Sequence, residues 1–182
     1  MSLDSIEIVL RKGGVIAYPT EAVWGLGCLP ESEAAVQRIL KLKNRSWVKG
    51  LILVASDIEQ ILPYVILNSA QKSEIEESRL AAITYLIPKS KNAPSWITGK
   101  NHKIAIRIST HPAIRDICGR LNTGIVSTSA NPSGKPPAVN ELILNQYFPL
   151  GIDECYSGDI GTQRHVSEIR DLITGEIVRG SA

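Results

Sequence analysis

The chain has 182 residues, about the size of one domain, and 43% of them are hydrophobic, which is enough to bury a core. This composition excludes a disordered or fibrous chain. The formal net charge of +2 does not by itself indicate a nucleic-acid-binding protein, although it is compatible with a local basic cleft.

Cysteine and histidine spacing predicts neither a disulfide framework nor a zinc site. The three cysteines are far apart without CxxC spacing, so we expect reduced and mostly buried thiols at Cys28, Cys118 and Cys155. The three histidines are scattered at His102, His111 and His165. The first residues do not resemble a secretory signal, and the apolar runs are too short to span a bilayer, so we expect a cytoplasmic protein.

Hydrophobic periodicity predicts helices and strands in alternation. In chain order the predicted elements are a helix at 2–12, a strand at 15–18, a loop at 19–27, a helix at 31–43, a strand at 51–55, a short helix at 57–62, a helix at 69–80, strands at 83–87 and 104–108, a helix at 112–121, a strand at 125–128, a helix at 139–147, and short strands near 152–156, 167–171 and 176–179. This order favours a single α/β domain (α+β in some schemes) over residues 3–182. We expect a twisted mixed sheet flanked by helices.

Two cations one residue apart form the first candidate site. In the helix at 31–43, Lys43 shares the apolar face with Val36, Ile39 and Leu40, so its ammonium needs an anionic partner or an opening to solvent. Arg45 follows the end of this helix. The pair is suited to binding a polyphosphate. The alternative explanation is that cations favour the C-terminal ends of helices because they offset the helix dipole.

Three further segments carry polar groups next to apolar strands. Ser127–Gly134 places hydroxyls and Asn131 before a proline–glycine turn, which suits a phosphate or carboxylate but is also ordinary turn chemistry. Thr20 and Glu21 adjoin Trp24, which is either a pocket wall or part of the core. Arg107 interrupts an apolar strand and faces either solvent or a cleft.

Together these segments resemble the YrdC-type (TsaC) threonylcarbamoyl-AMP synthases in their short proteobacterial form. The resemblance extends from about residue 3 to residue 180. It is carried by VIAYPTEAVWGLGC at 15–28, KNR at 43–45, KGLILV at 49–54, AIRISTHP at 105–112, STSANPSG at 127–134 and the SEIRD…TGE…R pattern within 165–180. It implies a YrdC-like fold with a large concave cleft.

The resemblance also implies an activity. Members of this family condense L-threonine, bicarbonate or CO2, and ATP, which they use with Mg2+, to threonylcarbamoyl-adenylate and pyrophosphate. A separate transferase complex then moves the threonylcarbamoyl group to tRNA. No carboxylate cluster suited to a dedicated metal site is evident, so we expect the metal to arrive with the phosphates.

Residue roles follow from the same resemblance. Lys43 and Arg45 would neutralise the phosphates and the carbamate oxygens, while Ser129 and Asn131 would hold the phosphate region from the facing wall. The remaining candidates would bind substrate. Thr20 and Thr128 would bind the amino acid, Arg107 would bind a carboxylate or phosphate, and Arg179 would close over the nucleotide. Lys49 and Thr84 are further substrate-binding candidates.

This sequence departs from the family pattern at several positions. Ala22 replaces a second threonine, and Lys49 and Val54 stand where longer relatives carry Asn and His. The stretch LAAIT at 80–84 lacks a WPGP-like turn but keeps Thr84, so the threonine end of the pocket is expected to be reshaped. Two alternatives remain open: an RNA-binding or ribosome-maturation role, with tRNA or double-stranded RNA contact, and a carbamoyl-type transfer to another amine.

Overall fold

The computed structural model describes residues 3–81, 83–163 and 167–180, so Ala82 of the altered turn and His165 lie outside the described residues. The helices are α1 (Leu3–Arg11), α2 (Glu33–Lys43), α3 (Ser69–Ser78), α4 (Ser95–Thr98), α5 (Pro112–Leu121) and α6 (Glu141–Tyr147). The strands are β1 (Ile16–Pro19), β2 (Trp24–Cys28), β3 (Ile52–Ala55), β4 (Thr84–Pro88), β5 (Lys103–Ile108), β6 (Ile125–Ser129), β7 (Glu154–Cys155), β8 (Ile169–Asp171) and β9 (Ile177–Arg179). Single 3-10 turns cover Trp47–Lys49, Ile58–Gln60, Leu62–Tyr64 and Arg79–Ala81.

These strands form one mixed sheet in the order β7-β1-β2-β6-β3-β5-β4-β8-β9. The pairs β1–β7, β3–β5 and β4–β8 are parallel, and the other neighbouring pairs are antiparallel. The predicted α/β domain with a mixed sheet flanked by helices is therefore confirmed.

Helices cover both faces of the sheet. On one face α2, α3 and α4 pack on the largest apolar cluster, which includes Leu53, Ile104, Ile106 and Ile108. On the other face α1 and α5 pack against a second cluster with Ile16, Tyr18, Val54 and Ile125. Along β5, Ile104, Ile106 and Ile108 are buried while Lys103, Ala105 and Arg107 are only half-buried, so the alternation leaves part of one face open.

Two elements differ from the sequence prediction. Residues 24–27 of the predicted loop belong to strand β2 (Trp24–Cys28), which pairs with β1 and β6. The periodicity hid this strand because Gly25 and Gly27 occupy alternate positions, and glycine carries no strand signal. The short helix α4 was not predicted, since it has a single turn after Pro94.

The predicted burial of the cysteines is confirmed for two of the three. All three cysteines are free: Cys28 and Cys118 are buried, and Cys155 is partly buried. Burial raises the pKa of the Cys28 and Cys118 thiols to about 12, so both stay protonated near neutral pH. Within the described ranges, no helix is long and apolar enough to cross a membrane.

Candidate functional site

The open part of the sheet face forms a cavity of about 250 Å³. Its walls come from the loop after β1, the segment after α2, Ser167, and strands β2, β3, β4, β5, β6, β8 and β9. Seven of the residues selected from the sequence line this cavity: Thr20, Arg45, Lys49, Arg107, Thr128, Ser129 and Arg179. A second cavity of about 410 Å³ adjoins it and shares Lys49, Gly50, Leu51, Leu86, Ala105 and Ile169.

Three arginines, Arg45, Arg107 and Arg179, give the smaller cavity a positive wall. Burial, and then the charge of Arg179, lower the pKa of Arg45. Burial, and then the charge of Arg107, lower the pKa of Arg179. Arg179 therefore lies close enough to Arg45 and to Arg107 for their charges to repel, and an anion in the cavity would relieve this repulsion.

One carboxylate partly offsets this charge. Glu21 Oε2 lies 2.6 Å from Arg107 Nη2, and both side chains are nearly buried. Ser109 Oγ donates to the other oxygen, Glu21 Oε1, at 2.7 Å. Among the described residues, neither Arg45 nor Arg179 makes an ion pair, so the wall keeps a net positive charge.

The arginines also retain unused hydrogen-bond donors. Arg45 Nη2 donates to Gly50 O at 3.0 Å, and Arg179 Nη2 donates to Ser167 O at 2.9 Å, which fixes two of the guanidinium groups. The buried Nε atoms of Arg45 and Arg107 have no partner within the part of the chain that the structure describes. A buried donor without a partner is costly, and an oxygen-rich anion would satisfy it.

Lys43 does not line this cavity. Its side chain is only 3% exposed, which confirms the predicted burial on the apolar face of α2. The Lys43 ammonium donates to Ser129 O, to Asn131 O at 2.8 Å and to Asn131 Oδ1 at 3.2 Å. Burial, and then the charge of Arg45, lower the pKa of Lys43 to about 8.

Ser129 and Asn131 lie directly against Lys43, so the three residues are on the same side of the cavity, where Ser129 lines the wall and Lys43 and Asn131 lie behind it. From the sequence we expected Lys43 to face Ser129 and Asn131 across the cavity. This expectation is wrong, because Lys43 is in direct contact with both residues. Ser133 N also donates to Lys43 O at 2.7 Å, and Asn131 Nδ2 donates to Lys135 O at 2.6 Å. Directly after Lys43, Asn44 ends α2 in the left-handed conformation, with a φ of 49°.

Thr84 is also outside the cavity lining. It is fully buried, and its hydroxyl lies 2.8 Å from that of Ser167, which does line the cavity. The structure thus places Thr84 behind Ser167. Sequence reasoning assigned no role to Ser167, which begins the SEIRD motif, or to Ser127, which belongs to the candidate segment Ser127–Gly134 and lines the cavity from β6.

No metal cluster is evident in the described ranges: no group of at least three His, Cys, Asp or Glu side chains is placed to hold an ion. The cavity presents guanidinium and hydroxyl donors, which are groups suited to an anion.

Comparison with known proteins identifies the family. The family model described as "Telomere recombination", which covers the Sua5, YciO and YrdC proteins, matches residues 8–181. The chain belongs to the Sua5/YciO/YrdC family. This confirms the resemblance found in the sequence motifs.

Curated members of the family are similar over nearly the whole chain. A threonylcarbamoyl-AMP synthase of Cellvibrio japonicus is 45% identical over 174 residues, covering 95% of this chain and 92% of its own. A protein of the same name from Pseudomonas aeruginosa is 44% identical over 182 residues, covering 94% of this chain and 92% of its own. In both comparisons the matched region covers more than nine tenths of this chain and of the relative.

Solved structures show the same fold. Sua5 of P. abyssi complexed with L-threonine superposes with a TM-score of 0.90 at 26% identity, covering 98% of this chain and 54% of that longer one. E. coli YciO gives a TM-score of 0.85 at 22% identity, covering 99% and 88%, and supports the fold alone.

Proposed function

We propose that this chain is an L-threonylcarbamoyladenylate synthase, a nucleotidyltransferase that joins L-threonine, bicarbonate or CO2, and ATP. The observation that carries the proposal is the 45% identity, over 95% of the chain, to a curated protein bearing this enzyme name. The cavity chemistry supports it, because a triphosphate, a carboxylate and a carbamate require several cationic donors in one place. The comparisons do not favour the RNA-binding or ribosome-maturation alternative.

The reaction needs a charged cavity more than it needs a protein nucleophile. The threonine amine and CO2 form a carbamate, whose oxygen attacks the α-phosphorus of ATP. The bond between the α-phosphorus and the oxygen that links it to the β-phosphorus breaks, and pyrophosphate leaves with that oxygen. The carbamate oxygen is itself nucleophilic, so the protein must chiefly align two anions that repel each other and stabilise charge on the leaving group.

The arginines are the residues best placed for this task. We assign Arg45 and Arg107 to the phosphate and carboxylate oxygens, since each has a buried Nε without a partner among the described residues. Arg179, held by Ser167, contacts the nucleotide in this proposal. Thr20, Lys49 and Thr128 line the same cavity and contribute to substrate binding.

Lys43, Asn131 and Thr84 act from behind the cavity wall in this proposal. Lys43 holds Ser129 and Asn131 through three hydrogen bonds, so it fixes the phosphate-side loop before substrate arrives. Thr84 orients Ser167 in a comparable way. Because the described residues offer no metal cluster, we propose that Mg2+ enters coordinated by ATP.

The product defines the partner. Threonylcarbamoyl-adenylate is a reactive mixed anhydride, so we propose that a tRNA-modifying transferase complex consumes it in the cytoplasm, where ATP and tRNA are available. Direct contact with tRNA or double-stranded RNA is not needed to form the adenylate.

The test is pyrophosphate release by the purified protein with Mg2+. We expect release only when ATP, bicarbonate and L-threonine are all present. Substituting other amino acids for threonine distinguishes this enzyme from a carbamoyl-type transferase for a different amine. Equal release with another amine would assign that alternative, and threonine-independent release would contradict the proposal.

A further inference from the structure

Tyr18 extends across one strand to reach the next. It lies in β1, is fully buried, and its hydroxyl donates to Ser127 Oγ in β6 at 2.7 Å, although β2 runs between these strands. Its ring lies against the two glycines of β2: a Cβ on Gly25 would be 3.1 Å from Tyr18 Cε2, and one on Gly27 would be 2.8 Å from Tyr18 Cε1. The glycines of the WGLGC segment therefore provide the space that the ring occupies.

This contact sets the direction of the Ser127 hydrogen bond. The Tyr18 hydroxyl is the donor in this contact, and because burial raises the pKa of Tyr18, the phenol keeps the proton that it donates. A serine hydroxyl that accepts one hydrogen bond still has its own hydrogen to donate. Ser127 lines the cavity, and its hydroxyl has no acceptor among the residues that the structure describes.

Ser129, two residues along the same face of β6, has the opposite polarity. Its hydroxyl donates to Asn131 Oδ1 at 2.6 Å, so it presents oxygen lone pairs to the cavity. One serine is thus arranged as a donor and its neighbour as an acceptor.

We propose that Ser127 is a substrate-binding residue that donates a hydrogen bond to an anionic oxygen, either a carboxylate or a phosphoryl oxygen, and that Tyr18 is its positioning residue. An anion is the expected acceptor because Arg45, Arg107 and Arg179 line the same cavity. The identity of the substrates rests on the proposed function, whereas the geometry of Tyr18, Gly27 and Ser127 does not.

The experiment is a double-mutant cycle on Ser127→Ala and Tyr18→Phe. Binding of L-threonine and of ATP to the full chain is measured separately by calorimetry, and kcat/KM by pyrophosphate release. We expect Ser127→Ala to weaken one ligand about tenfold, as for a hydrogen bond to a charged group, and Tyr18→Phe to weaken the same ligand about threefold. In the Ser127→Ala background, Tyr18→Phe should have no further effect.

The two arms identify the acceptor, since loss in the threonine arm indicates the carboxylate and loss in the ATP arm indicates a phosphoryl oxygen. The proposal is overturned if Ser127→Ala leaves both affinities and kcat/KM unchanged. Tyr18 is not a positioning residue if its substitution has the same effect in both backgrounds, as a packing role would predict.

Two controls keep the result interpretable. Urea unfolding verifies that each variant folds, and Ser127→Thr, which keeps the hydroxyl, should retain binding even if Ser127→Ala proves unstable. If the wild-type protein makes no adenylate but its affinity for ATP or threonine depends on Ser127, the proposed function fails while the assignment of Ser127 stands.

Discussion

Lys43 is a buried cation held by oxygen atoms rather than by a counter-ion. The ammonium of Lys43 contacts two backbone carbonyls and one side-chain amide oxygen, all from the loop that begins at Ser129. Such bonds to a charged group stabilise a structure by about 1.5–3 kcal/mol each. The side chain therefore connects the end of α2 to the wall of the cavity.

The first prediction concerns this loop. Replacing Lys43 with Met keeps much of the apolar stem but removes all three hydrogen bonds, so we expect amide hydrogen exchange in a peptide covering residues 127–136 to increase about tenfold or more without substrate. Arg45→Met is the matched control, because the Arg45 guanidinium donates to Gly50 O and not to this loop. Unchanged exchange in Lys43→Met together with lost ATP binding would instead assign Lys43 to direct phosphate contact.

The second prediction concerns pH. The pKa of Lys43 is lowered to about 8 in the folded protein because of burial and Arg45. Between this value and its ordinary pKa of about 10.4, the unfolded chain binds more protons, so the folded state gains stability as pH rises. Below pH 8 both states are protonated and the cost of burying the charge is fully present.

The measurement is the free energy of unfolding in urea for the wild type minus that for Lys43→Met. This difference should increase from about pH 8 to pH 10.4, by at most about 3 kcal/mol. A flat or falling difference would show that the oxygen acceptors keep the ammonium charged in the folded state.

The third prediction concerns Arg45, whose guanidinium lines the cavity. We expect Arg45→Met to weaken ATP binding about tenfold or more, because a charge-assisted contact to phosphate is lost. The free energy of unfolding should change little, since Arg45 is already destabilised by burial and by Arg179. The check is calorimetric measurement of ATP affinity for Arg45→Met and for the control Arg115→Met, since Arg115 is an exposed residue of α5. Equal ATP affinities of the two variants would contradict the role of Arg45.

At the level of elements, β2 is the strand on which the cavity depends most closely. It contributes Trp24 and Gly25 to the lining, and its glycines accommodate the Tyr18 ring. A Cβ at position 27 would be 2.6 Å from Val126 O, a backbone atom of the neighbouring strand. Backbone atoms in a sheet have little freedom to move away.

The fourth prediction compares two glycines. Gly27→Ala should destabilise the protein by about 1–3 kcal/mol, because the new methyl group overpacks the sheet. Gly119→Ala should instead stabilise the protein by up to about 1 kcal/mol. Position 119 is helical, and outside the backbone of its own helix no atom lies within 4 Å of the added Cβ. Urea unfolding of both variants measures this, and a neutral Gly27→Ala would show that β2 can shift.

The sequence predicted those elements whose periodicity comes from apolar side chains. Helix α5 was predicted with its observed bounds from Pro112, which suits a first helical turn, and the structure adds His111 as its N-terminal cap. Strand β2 was not predicted from the sequence, since two of its positions are glycine. The same limit applies to the site: charged residues could be selected, but whether Lys43 faces the cavity or the loop depends on a tertiary contact.

At the level of the whole molecule, the cleft combines residues that are far apart in the sequence. Arg45 follows a helix, Arg107 lies on a central strand, and Arg179 lies on the last strand, yet all three line one cavity. Their mutual repulsion is retained in the folded protein because the sheet holds the arginine-bearing strands in fixed register. This concentration of positive charge suits the anionic substrates of the proposed reaction.

The most direct test of the account is a mass spectrum of the product formed from ATP, L-threonine and bicarbonate with Mg2+. We predict the mass of threonylcarbamoyl-adenylate, shifted by the isotope difference when heavy-carbon bicarbonate replaces the ordinary form. Loss of this product in Arg45→Met, with the product retained in Arg115→Met, would connect the chemistry to the cavity. A folded wild-type sample that yields no such mass, or a mass that does not shift with labelled bicarbonate, would contradict the proposed function.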